Sequence, residues 1–212
     1  MNITFHESLY RTKTAMEKLR GHDIVICGAG ALGANIAESL ARAGVERLTV
    51  IDRDRVEEHN LSTQPFQTDD IGARKAEVLA HTLYRAVGQE VNSVCKELDR
   101  TNVHKLLKNA TLVIDCFDNS VSRRIVTKHC LEKNVPCLHA GLADGFAEVI
   151  WNDHYRVPSP SQDDICDYPL ARNLVTLTTA VACETVIKSL LGGTLENWSI
   201  TLKDLQIAPL PM

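Results

Sequence analysis

None of the seven cysteines stands in a C-x-x-C pair, and no apolar run approaches the length needed to span a bilayer. With no Cys/His cluster at ligand spacing either, the sequence predicts no structural zinc. An odd number of scattered cysteines argues against a disulfide framework and suits reduced thiols, so a cytoplasmic protein is expected. The opening stretch MNITFHESLYR lacks the apolar core of a secretory signal. Basic charge is not in excess. A net charge of -4 leaves no field for nucleic acid or for anionic membranes, and neither is expected as a partner. Internal repeats and low-complexity linkers are missing too. What is present is an ordinary globular composition, 44% hydrophobic and 24% charged. At 212 residues it is enough for a single domain, 1–212, with a sizeable core.

FHESLYRTKTAMEKLR (5–20) reads as a leading helix with Phe5, Leu9, Met16 and Leu19 on one side. Apolar runs then alternate with helical segments. DIVIC (23–27), RLTVI (47–51), VNSVC (91–95), TLVIDCF (111–117) and PCLHA (136–140) read as strands. Helices are expected over 31–43, 71–87, 102–108 and 121–133. This rhythm predicts a Rossmann-like, doubly wound α/β fold whose first half is parallel. FAEVIW (146–151) follows PCLHA after only a short turn, which predicts antiparallel pairing there. A polar, proline-marked stretch (157–169) reads as a mobile loop, before a long apolar helix over 170–191. WSITL and LQIAPL close the chain as two further strands, completing an antiparallel carboxyl-terminal half.

Gly28, Gly30 and Gly33 form G-x-G-x-x-G between the first strand and its helix, with Ala31 and Leu32 inside the motif. Such glycines permit a tight turn, close approach of backbone to phosphate, and close helix–strand contact. Asp52 ends the second strand, where a carboxylate accepts hydrogen bonds from ribose hydroxyls. These residues point to a nucleotide without choosing one, and an NAD-linked oxidoreductase would carry the same set.

The residues that follow narrow the choice. R-D-R-V-E-E-H-N-L-S-T-Q comes after Asp52, then D-I-G-A-R-K at 70–75 and D-C-F-D-N at 115–119. Here the chain resembles the ThiF/MoeB/HesA family, bacterial relatives of ubiquitin-activating enzymes. The matching positions are Asp52, Asp54, Val56, Asn60, Leu61 and Gln64, then Gly72 and Lys75, then Asp115, Cys116, Asp118, Asn119 and Arg123. The resemblance runs from about residue 21 to 192. It implies adenylation of the carboxyl terminus of a small ubiquitin-like or sulfur-carrier protein ending in Gly-Gly, with ATP and magnesium, in a homodimer.

The chemistry fits those residue types. A carboxylate becomes an acyl-adenylate by attacking the α-phosphate of ATP, and the charge that builds up must be met by fixed cations and a metal. Lys75 supplies one cation and Arg123 is the candidate for another. Asp118, at a strand's carboxyl end, is a hard ligand suited to magnesium. The alternative for Asp118 is an N-cap for the next helix, and for Lys75 a solvated helix face. Asn60 and Gln64 are expected to bond phosphate oxygens.

Two departures from the family pattern, and one candidate cysteine, bear on function. The arginine of N-L-x-R-Q is Thr63 here, leaving Arg53, Arg55 or Arg74 to replace its charge. The R-Y-x-R-Q opening is absent. Arg11 is the candidate for the arginine that these dimers borrow from the other subunit's leader. Cys166, in D-D-I-C-D-Y-P, is the candidate thioester cysteine, although its aspartate neighbours disfavour the thiolate. Beside the NAD reading, which leaves 54–75 and 115–119 without a purpose, a catalytically inert partner subunit stays open, and Thr63 is the feature that favours it.

Overall fold

The computed structural model describes residues 3–159 and 169–210. The spacing predicts one helix over 5–20, but the chain forms two, α1 (Phe5–Arg11) and α2 (Lys13–Arg20). Thr12 parts them, at φ 77 and ψ 154, a region nearly reserved for glycine. Its side chain caps α2 by accepting from Ala15 N at 3.4 Å. The break lets α2 bury Met16 and Leu19, while Phe5 and Leu9 of α1 stay 52% and 69% exposed. What holds α1 in place is ionic. Arg11 donates to Glu7 at 2.6 Å and to Glu184, far along the chain, at 2.5 Å.

The rest follows the expected alternation: β1 (Asp23–Cys27), α3 (Ala31–Arg42), β2 (Arg47–Ile51), α4 (Lys75–Val87), β3 (Val91–Val94), α5 (Val103–Leu106), β4 (Leu112–Asp115) and α6 (Ser120–Lys133). Then come β5 (Cys137–Ala143), β6 (Phe146–Trp151), α7 (Arg172–Leu190), β7 (Asn197–Thr201) and β8 (Gln206–Leu210). One eight-stranded sheet results, in the order β3-β2-β1-β4-β5-β6-β7-β8. β1 to β5 are parallel and β5 to β8 antiparallel.

Successive β1 residues enter different cores, Ile24 and Ile26 beneath α3, Val25 and Cys27 on the side of α6. That two-sided burial is why β1 reads as an unbroken apolar run. Asp144 and Gly145, both at positive φ, make the tight turn from β5 into β6. The helix expected from 71 starts only at Lys75, because Gly72 sits at φ 87. Strand order reverses between β1 and β4, so the carboxyl ends of these two strands flank a crevice where such sheets take ligands.

His129 of α6 is buried, its Nδ1 without a hydrogen bond, packed edge-on to His104 of α5 at 5.0 Å. Burial first, then the charges of His104 and Lys133, hold its pKa below the usual 6.5, against a weaker pull from Glu132. The folded chain therefore resists a proton that the unfolded chain accepts. Stability is whole above pH 6.5 and falls as pH drops below it. His129→Leu is expected to flatten that acid limb of a Tm-against-pH curve, and an unchanged slope would assign it to other groups.

Candidate active site

The glycine turn closes around three different demands. Gly28 lies at φ 96, and an added Cβ would sit 3.0 Å from the Cys116 carbonyl oxygen at the end of β4. At Gly33 a Cβ would fall 1.9 Å from the Gly28 carbonyl oxygen, so the helix can approach the turn only without one. Gly30 instead faces open space, with nothing within 4 Å of the equivalent position. It is also the N-cap of α3 and provides no side-chain cap, which leaves the first amides of the helix for a ligand. Ala31 and Leu32 begin that helix. Leu32 turns its side chain into the core, so only its backbone is available.

Asp52 sits beside this turn, 7% exposed. Its carboxylate accepts from Ala29 N at 2.6 Å and from Asp54 N at 2.7 Å. Burial pushes its pKa up, and those two bonds together with the charge of Lys75 oppose the rise. Both oxygens are thereby oriented before any ligand arrives.

Lys75 opens α4 and is only 8% exposed. Its backbone N–H donates to the Asp54 carbonyl at 3.0 Å. Its ammonium makes no hydrogen bond or ion pair among the described residues, and is felt by Asp52 only at longer range. The solvated-face alternative does not describe such a residue. Asn60 is placed differently from the expectation: its Oδ1 accepts from Glu57 N at 2.9 Å, capping its own short helical turn. Gln64 is buried with its Oε1 unpartnered.

Thr63 is buried as well, and its carbonyl accepts from Asn35 at 2.9 Å. The three arginines expected to replace its missing charge are all engaged nearby. Arg53 pairs with Glu97 at 2.8 Å, Arg55 donates to the Gly72 carbonyl at 2.5 Å, and Arg74 donates to the Arg53 carbonyl.

Asp118 follows β4, exposed. The cap of α6 is Asn119, whose side chain accepts from Ser122 N at 2.8 Å, so Asp118 is not spent on capping. No cluster of three His, Cys, Asp or Glu side chains exists among the described residues. A single exposed carboxylate such as Asp118 suits magnesium, which takes one carboxylate along with phosphate oxygens and water.

Arg123 is the second candidate cation. Its guanidinium is turned into the sheet, donating to Tyr155 Oη at 3.0 Å and to the Ala140 carbonyl at 2.9 Å, with Asp115 at 3.9 Å. His139 and Asn152 complete this buried cluster, which spacing alone did not reveal because its members come from β4, α6, β5 and the stretch after β6. Arg11, expected to reach a neighbouring subunit, is bound to Glu184 of its own chain. Cys166 and most of the 157–169 loop lie outside the described residues. No helix among the described residues is long and apolar enough to cross a membrane.

Residues 6–207 match the ThiF family. The chain is 34% identical over 128 residues to the SAMP-activating enzyme E1 of Haloferax volcanii, covering 59% of this chain and 47% of that one. To the sulfur carrier protein ThiS adenylyltransferase of Bacillus subtilis it is 31% identical over 137 residues, covering 63% and 41%. The chain thus spans less than half the length of these curated relatives. Among solved structures, E. coli MccB with ATP superposes with a TM-score of 0.80 at 22% identity, over 93% of this chain and 66% of that one. At that identity the likeness is one of fold.

Proposed function

This chain belongs to the ThiF family, and we propose that it uses ATP and magnesium to adenylate a protein carboxyl terminus. The substrate in this reading is a small ubiquitin-like or sulfur-carrier protein ending in Gly-Gly, and the enzyme is a homodimer. The names of its relatives support the substrate class. One observation carries the chemistry: a lysine only 8% exposed, whose charge reaches the Asp52 carboxylate held at the glycine turn and which has no hydrogen bond or ion pair of its ammonium among the described residues.

The substrate carboxylate is already ionised at neutral pH and needs no base. Its oxygen bonds to the α-phosphorus as the bond to the β-phosphate oxygen breaks, giving acyl-adenylate and pyrophosphate. Lys75 meets the charge that grows on the phosphates, with the free amides at the start of α3. Asp52, held by Ala29 and Asp54, accepts from the ribose hydroxyls, and Gln64 donates to a phosphate oxygen. Asp118 is the residue that would hold magnesium, whose role is to neutralise the departing pyrophosphate. Asn60 shapes the 57–63 turn instead of touching phosphate. Cys166 is the candidate to receive the acyl group as a thioester.

Calorimetry with ATP plus magnesium, and separately with NAD, tests this reading. The expected result is magnesium-dependent ATP binding that Asp118→Ala weakens about tenfold. Binding of NAD alone overturns it in favour of an oxidoreductase. Binding of neither favours an inert subunit, with buried Thr63 as its mark.

A further inference from the structure

Beneath the turn that carries Asp118 lies a polar cluster, with Asp115 and His139 almost wholly buried and Arg123, Asn152 and Tyr155 keeping only a small exposed surface. Asp115, the last residue of β4, is wholly buried. Its Oδ1 accepts the Phe117 N–H at 3.1 Å, closing the turn that leads to Asp118. Its Oδ2 is met by His139 Nδ1 at 2.9 Å and by the Arg123 guanidinium at 3.9 Å. His139 is itself pinned. Its Nε2 lies 2.8 Å from Asn152 Oδ1, and the Tyr155 ring stacks on it with centroids 3.7 Å apart and planes 6° from parallel. Tyr155 and Ala140 in turn hold Arg123.

A carboxylate gripped from behind cannot rotate away from the amide it holds in front. The same turn is anchored on its other side, where Cys116 N donates to the Cys27 carbonyl at 2.8 Å. The Cys116 carbonyl abuts Gly28, so a shift of this turn would move the glycine turn as well. Apolar side chains of similar volume would fill this space without the desolvation of buried charge. The cluster's position, one turn behind the exposed carboxylate, gives it a use that packing does not.

We infer that His139 is a positioning residue for Asp118, acting through Asp115 and the Phe117 amide. The inference rests on Asp118 being the magnesium ligand of the proposed site. Outer partners of a metal carboxylate tune affinity by holding the ligand still. His139 does this at one remove, with Arg123 and Tyr155 as its supports.

Two readouts test it, one needing no ligand. In the unliganded protein, His139→Leu is expected to speed amide exchange at Phe117 about tenfold while leaving Ile24 to Ile26 of β1 unchanged. In calorimetry, the magnesium concentration that half-supports ATP binding is expected to rise about tenfold, with magnesium-free ATP affinity unaltered. In an Asp118→Ala background His139→Leu should add nothing, because both changes act on one ligand. His139→Gln, which keeps a donor for Asp115, should recover most of both effects. Exchange that stays the same, or that rises evenly through β1 and β4, overturns the inference, and so does an equal magnesium shift with and without Asp118. If His139→Leu does not fold, Tyr155→Phe keeps the stack, deletes the bond to Arg123, and should give a smaller shift, about twofold, in the same two readouts. Failure of the unsubstituted protein to bind ATP with magnesium would sink the site reading, whereas exchange at Phe117 would still decide whether His139 holds the turn.

Discussion

Lys75→Met is expected to leave the fold intact and to lower pyrophosphate exchange, measured with a Gly-Gly protein substrate, by about a thousandfold. The residue is 8% exposed, and the ammonium has no hydrogen bond or ion pair among the described residues, only the longer-range charge of Asp52. Methionine keeps the unbranched stem and its packing while removing the charge. The Tm should hold or rise, the pattern of a residue kept for function at the expense of stability. Phosphate binding would supply the missing anion, and the loss should appear in both ATP affinity and rate. A variant that loses activity only as far as it loses stability would make Lys75 part of the scaffold.

The second large effect is structural. Gly33→Ala would set a methyl 1.9 Å from the Gly28 carbonyl oxygen and 2.9 Å from its carbon, with Ile26 Cγ2 at 3.3 Å. The two nearer atoms are backbone, at the point where β1, the turn and α3 meet, so neither can swing aside as a flexible side chain would. Overpacking of this kind costs about 3 kcal/mol or more. For a chain of this size that is about 10 °C in Tm, read by circular dichroism. Gly30→Ala supplies the contrast. A methyl there meets nothing within 4 Å, and its φ of -81 suits any residue. Its Tm should not move, while ATP affinity falls because the methyl occupies the space that phosphate enters. Equal thermal losses for both variants would contradict the separate roles assigned to these glycines.

What could be read from the residues in a row was local physics. β1 is apolar because both its faces are buried, Asp144–Gly145 turns because both residues accept positive φ, and Gly28 to Gly33 are fixed by distances inside one strand–turn–helix unit. What escaped depends on partners far along the chain. The break at Thr12 accompanies an ion pair between Arg11 and Glu184, 173 residues apart, which no periodicity in 5–20 encodes. Arg123 stands one turn into a helix, where a cation is disfavoured, and that oddity was legible. Its cause was not, since Tyr155 and Ala140 come from elsewhere. Asp118 and Asn119 are adjacent and both suit an N-cap, so only the observed bond to Ser122 separates their roles.

The pairing of β1 with β4 sets Ile24 against Leu112 and Cys27 against Asp115, across a long intervening loop of chain. Closing that loop is entropically the slow part of building such a sheet, whereas the β5–β6 and β7–β8 hairpins join near neighbours. The glycine turn and the Asp118 turn stand on opposite sides of that one seam. The glycine turn can form within its own strand–turn–helix unit, but the two turns face each other only once this seam has closed.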